Sequence, residues 1–155
     1  MLFSDKELNF DIPKVMGIIN LTPDSFSDGG RFISKKSLKV DRSKVLKEIE
    51  AMENSGASFI DIGAESTRPN SVRISVQEEM DRLMPILEEI KNIRAVVSID
   101  SSKGEVIFEA IKKGVNLIND INSLEDNKSL ELVKKYNLPA VSYTHLRAHE
   151  TPEHL

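Results

Sequence analysis

Five polar residues stand at or near the ends of short apolar runs. Asn20 closes V-M-G-I-I-N (15–20), Asp61 lies in S-F-I-D-I-G (58–63), and Asp100 closes A-V-V-S-I-D (95–100). Asn119 and Asp120 close V-N-L-I-N-D (115–120). A carboxylate accepts two parallel N–H bonds, and a primary amide both donates and accepts. Arg68 adds a planar fork suited to an anionic group. The serines lack a base partner and there is no cysteine, so no covalent nucleophile stands out. One Asp or Asn at a strand end reads most simply as a helix cap or turn former. A set at four strand ends points to a shared site, because parallel α/β folds place reactive groups just past the C-terminal ends of their strands.

The four runs are too short for buried helices and are rich in Val and Ile, so each reads as a strand covered on both faces. Helix patterns separate them. Residues 43–54 place Val45, Leu46, Ile49 and Met52 on one side, with Gly56 as a stop. Residues 75–91 open with the capping-box pair Ser75 and Glu78, and Pro85 is expected to kink them. Ser102 and Glu105 repeat the capping box before a helix closed by Gly114, and a fourth helix spans about 126–136. Alternating strands and helices imply a parallel α/β sheet. At roughly 30 residues per unit of an eight-unit barrel, the chain supplies four to five units. Periodicity alone leaves a partial barrel and a small doubly wound sheet equally open.

A chain of 155 residues makes one domain, and 39% hydrophobic with 30% charged residues fits a globular protein. The net charge of −4 is spread along the chain, which argues against nucleic-acid binding. No apolar run approaches the roughly 18 residues of a membrane span, and the first residues do not read as a signal peptide. A cytoplasmic location is the expectation.

The strings M-G-I-I-N-L-T-P-D-S-F-S-D-G-G (16–30) and D-I-G-A-E-S-T-R-P (61–69) resemble dihydropteroate synthases, as do V-S-I-D-S-S-K (97–103) and I-N-D-I-N-S-L (118–124). The resemblance covers roughly residues 10–141. It implies a TIM barrel that joins dihydropterin diphosphate to p-aminobenzoate with loss of diphosphate, of which 1–141 would form the N-terminal part, with about five of eight strands. It further implies that Asp100 binds the pterin with Asn119, and that Asn20 contacts a Mg²⁺ ion. Arg68 would take the diphosphate or another anionic group, Thr67 and Pro69 beside it would shape the p-aminobenzoate side, and Phe26 and Asp28 would fold over the reacting centre. A homodimer is typical of the family.

Residues 142–155, S-Y-T-H-L-R-A-H-E-T-P-E-H-L, read as unlike the family and are expected to be non-native. His145 and His149, four apart beside Glu150, have the spacing of a metal constellation, but no further ligand or supporting partner is evident for them. The catalytic competence of the 155-residue chain is therefore in question. A related barrel, the methyltetrahydrofolate-binding methyltransferase domain, is an alternative, but the loops at 22–30 and 66–69 argue against it. The other alternative is a non-catalytic pterin-binding fragment.

Overall fold

The computed structural model describes residues 1–23, 32–33, 39–66 and 71–143. An antiparallel hairpin of β1 (Leu2–Phe3) and β2 (Lys6–Glu7) opens the chain. Then come β3 (Met16–Asn20), α1 (Arg42–Asn54), β4 (Phe59–Gly63), α2 (Val76–Ile90), β5 (Val96–Asp100) and α3 (Gly104–Lys112). The series ends with β6 (Leu117–Asp120), α4 (Asn127–Tyr136) and β7 (Ala140–Ser142). β3 to β7 form one parallel sheet in sequential order. The hairpin is absent from the sequence reading, since two-residue strands carry no periodic signal.

Which face the helices cover decides between the two folds left open. Ile19, Ile60, Ile62, Val97, Ile99 and Ile118 pack in one buried cluster with side chains from all four helices, including Val45, Leu83, Ile107 and Leu132. A doubly wound sheet distributes its helices over both faces. Here one face takes every described helix, as in the (β/α) units of a TIM-type barrel, and the described strands leave that barrel unclosed. On the opposite, inner face the hairpin fills only the N-terminal end, where Phe3 packs with Phe59, Val96 and Leu117. The expectation of strands covered on both faces therefore fails for β3. Met16 and Ile18 remain 37% and 56% exposed on the inner face, where none of the described helices packs.

Asp41 caps α1 through Lys44 N at 3.2 Å, and Ser75 caps α2 through Glu78 N at 3.1 Å. Gly56 and Gly114 follow α1 and α3 at φ +98° and +89°, the left-handed region that makes glycine a helix stop. Pro85 lies inside α2, which runs unbroken from Val76 to Ile90. The expected Ser102 capping box does not form: Lys103 is the cap residue of α3, without a side-chain bond. Its role passes to Asp126, whose Oδ2 accepts from Gly104 N at 3.0 Å while the same carboxylate caps its own helix α4. No pattern local to residues 102–105 could reveal a cap supplied from 22 positions away.

Candidate functional site

The register of the sheet sets the site. Asn20 pairs with Gly63, Gly63 with Asp100, and Asp100 with Asn119, so these four residues share one rung at the C-terminal end of the strands. Side chains alternate between faces along a strand. Because Ile19, Ile62, Ile99 and Ile118 point to the helices, the next rung points inward. Neighbouring strands lie about 4.8 Å apart, which puts Asn20 and Asp100 on one surface about 10 Å apart although 80 positions separate them in sequence. Gly63 between them gives Asp100 its room. A Cβ built there would lie 3.2 Å from Asp100 Oδ2 and 3.3 Å from its Cβ.

Two rungs lower, Asp61 and Ser98 face inward beside each other. Asn119 Nδ2 donates to Asp61 Oδ2 at 3.0 Å. Asp61 is 4% exposed, and burial pushes its carboxyl above the usual range, against the easing effect of the Ser98 hydroxyl and the Asn119 amide. Ser98 lies close enough to favour the charge but is not aligned as a hydrogen bond. Asp61 Oδ1 and Asn119 Oδ1 are buried and reach no hydrogen-bond partner among the described residues. Buried acceptors are normally satisfied, so such a pair on an inner face suits a donor-bearing ligand.

Asp100 sits at the electrostatic centre of this surface. Burial, then the negative charges of Asp61, Glu79, Asp120 and Glu65, push its carboxyl up to about 7. A carboxyl so placed is held ready for cationic or paired N–H donors, and such displaced groups cluster at functional sites. A cleft of about 180 Å³ opens beside it, lined among others by Glu65, Arg73, Glu79, Ser101 and Asn122. Asp120, the second polar residue at the end of β6, has a different task. It is fully buried and accepts from Asn122 N at 2.9 Å and Leu124 N at 3.0 Å. It thereby holds a turn in which Ser123 and Leu124 both have positive φ.

Of the sequence-predicted residues, Asn20, Asp100 and Asn119 are brought together. Phe26, Asp28, Thr67, Arg68 and Pro69 lie outside the described residues, as do His145, His149 and Glu150. Asp61 was visible at its strand but had no role assigned. Lys103 and Glu79 were missed altogether. Lys103 Nζ donates to Glu79 Oε2 at 2.6 Å, to Ile74 O at 2.9 Å and to Glu65 Oε2. Glu79 is 1% exposed. Its position was a signal: it falls three after Val76, within the apolar stripe of α2, where a solvated charge is out of place.

Asn20 offers one amide oxygen, a hard donor of the kind Mg²⁺ takes when phosphate oxygens complete its shell. That donor fits the ion, and the partly exposed inner rung leaves it accessible.

The pterin binding enzyme family model matches residues 16–154. A dihydropteroate synthase of Haemophilus influenzae is 44% identical over 137 residues, covering 88% of this chain and 47% of its own length. One from Clostridium beijerinckii is 42% identical over 142 residues, covering 90% and 50%. Among solved structures, Yersinia pestis dihydropteroate synthase in complex with a sulfonamide drug superposes with TM-score 0.84 at 39% identity, over 96% of this chain and 52% of that one. The chain spans about half the length of the relatives it matches. With its described helices on one side of a parallel sheet and Asn20, Asp61, Asp100 and Asn119 on the other, the chain belongs to the pterin-binding enzyme family, and the relatives it matches are dihydropteroate synthases.

Proposed function

We propose that this chain forms the pterin-reading part of a dihydropteroate synthase, which joins dihydropterin diphosphate to p-aminobenzoate and releases diphosphate. The observation that supports this reading is the rung itself: Asp100 lies between Gly63 and Asn119, with buried acceptors left over on Asp61 and Asn119. The amino-pyrimidinone edge of a pterin presents adjacent N–H donors, which the Asp100 carboxylate accepts in parallel. Asn119 Oδ1 accepts from a neighbouring ring position, and Asp61 fixes the amide by taking one of its N–H bonds.

In the reaction, the bond between the pterin methylene carbon and the diphosphate oxygen breaks with both electrons leaving on oxygen. The lone pair of the neutral aniline nitrogen then attacks that carbon, and the nitrogen loses a proton. The chain's part is to orient the ring and exclude competing poses, which lowers the barrier without a covalent intermediate. Asn20 would hold Mg²⁺, which when bound supplies charge neutralisation for the departing diphosphate. By resemblance, Arg68 assists that anion, Thr67 and Pro69 shape the aniline side, and Phe26 and Asp28 shield the centre.

The test supplies the chain with the second half of the Haemophilus influenzae relative, then both substrates and Mg²⁺. Dihydropteroate should form with the two parts together and not with the chain alone. No product from the pair, when the intact relative is active under the same conditions, contradicts the reading.

A further inference from the structure

The ammonium of Lys103 joins three places that the chain order keeps apart. It bonds Glu65, just past the end of β4, the carbonyl of Ile74 before α2, and Glu79 in the first turns of α2. Glu65 Oε2 also accepts from Ile74 N at 3.0 Å, so the two flanks of the β4–α2 connection are tied to one another as well as to the lysine. Lys103 itself directly precedes α3 and is three residues from Asp100. Burial, the largest single influence on this ammonium, pushes its pKa down, but bonds and charges from Glu65 and Glu79 outweigh it and raise it. The group therefore stays charged throughout the neutral range.

We infer that Lys103 is a positioning residue: it clamps the flanks 64–66 and 71–75 to the end of β5, and so fixes the wall of the cleft beside Asp100. Three features carry this. All three acceptors belong to the connection or to α2, none to the helix that Lys103 begins. Glu79 is almost fully buried, so its bonded oxygen has no water to replace the lysine. The same cleft is lined by Glu65, Ser71, Glu79 and Asp100, which places clamp and carboxylate on one surface. The two carboxylates that Lys103 holds, Glu65 and Glu79, are among the groups that bear on Asp100, which is also faced by Asp61 from β4, Arg73 from the connection and Asp120 from β6. This role concerns the shape of the cleft and stands whether or not its ligand is a pterin.

Hydrogen exchange of the 155-residue chain tests it, read at the amides of Ile74 and its flanks and at the central strands. Lys103→Met should speed exchange at 64–66 and 71–75 at least tenfold and leave Ile62, Ile99 and Ile118 within twofold. Lys103→Arg, which keeps the charge and several donors, should restore most of the protection. Because Lys103→Met strands a buried carboxylate, Lys103→Met/Glu79→Leu provides a stable background, and it too should lose protection at the flanks. In the same samples the Asp100 carboxyl, followed by carbon NMR, should titrate at higher pH in Lys103→Met than in wild type, and fall back in the double variant. Exchange that rises equally across the sheet, flanks that stay protected in both methionine variants, or no rescue by arginine would each overturn the inference.

Discussion

Asn119 Nδ2 donates to Asp61 Oδ2 at 3.0 Å, joining β6 to β4 across the face of β5. The bond leaves the amide oxygen of Asn119 without a partner among the described residues, while the Asp61 charge it helps to hold bears on Asp100 from two rungs below. The inner face thus carries more negative charge than it can settle internally. A donor-rich ligand relieves this, and in its absence the protein itself bears the cost.

That cost has a sign. The Asp100 carboxyl is raised from 3.8 to about 7 in the folded chain, so between these values the folded state binds more protons than the unfolded one. The contribution to stability is full below about pH 4 and is lost as pH rises through about 7. Asp61 and Asp120, also raised, add the same sign. Urea unfolding from pH 4 to 8 should show a steeper decline for wild type than for Asp100→Asn. Parallel curves for the two proteins would remove Asp100 from the balance.

Gly63→Ala tests the room that Asp100 requires. The added methyl would sit 3.2 Å from Asp100 Oδ2, tighter than ordinary contact, and Gly63 has no positive φ to strain. Turning the carboxylate aside relieves the Oδ2 contact, while the 3.3 Å approach to Asp100 Cβ asks the strands to give by a few tenths of an ångström, a cost offset by the roughly 0.5–1 kcal/mol that Gly→Ala contributes in the favourable direction. Pterin affinity should fall about tenfold while the melting temperature moves by only a few degrees. Unchanged affinity would mean that Asp100 does not act from this position.

The site was legible where chemistry coincides with strand ends. Asn20, Asp100 and Asn119 each follow an apolar run, so their place on one rung follows from strand length alone. The helix patterns were legible too, as were the Ser75 cap of α2 and the Gly56 and Gly114 stops, whereas the Ser102 cap expected for α3 does not form. What escaped was set by distant partners: Asp126 capping α3, Lys103 clamping the β4–α2 connection, and the one-sided helix layer that leaves Met16 and Ile18 uncovered. None of these has a local spacing. The hairpin packs through three aromatic rings, Phe3, Phe10 and Phe59, whose meeting no short window contains.

Asp126 serves two helices, so its removal should cost more than one cap. Oδ2 accepts from Gly104 N, Ser129 N and Ser129 Oγ, and Oδ1 from Lys128 N. A single cap is worth about 1 kcal/mol, so Asp126→Ala should destabilise the chain by about 2 kcal/mol in urea melts. Asp41→Ala, which removes one cap only, should cost about half as much. Equal losses would show that the bond to Gly104 is idle.

The open edge of β3 gives a prediction for the chain by itself. Val15, Met16 and Ile18 are 63%, 37% and 56% exposed, and Val141 at the far edge is 39% exposed. Unpaired edges with apolar flanks invite association. The 155-residue chain should bind a hydrophobic dye and self-associate as its concentration rises. Ile18→Lys should reduce both, and adding the second half of a relative should suppress them in wild type. A monodisperse, dye-silent wild-type chain would show that this face is already covered.

Calorimetric titration of the chain with a pterin, in wild type and Asp100→Asn, tests the central claim most directly. The substitution turns one of two acceptors into a donor, so a pterin N–H would face another N–H, a loss of about 1–3 kcal/mol and more where the charge mattered. Wild type should bind one pterin, with affinity rising as pH climbs through about 7 and levelling only above it, once the Asp100 carboxyl is fully charged. Asp100→Asn should bind roughly 5- to 150-fold more weakly, with that pH dependence gone. Equal affinity in the two proteins, or a pH profile that survives the substitution, would contradict the account.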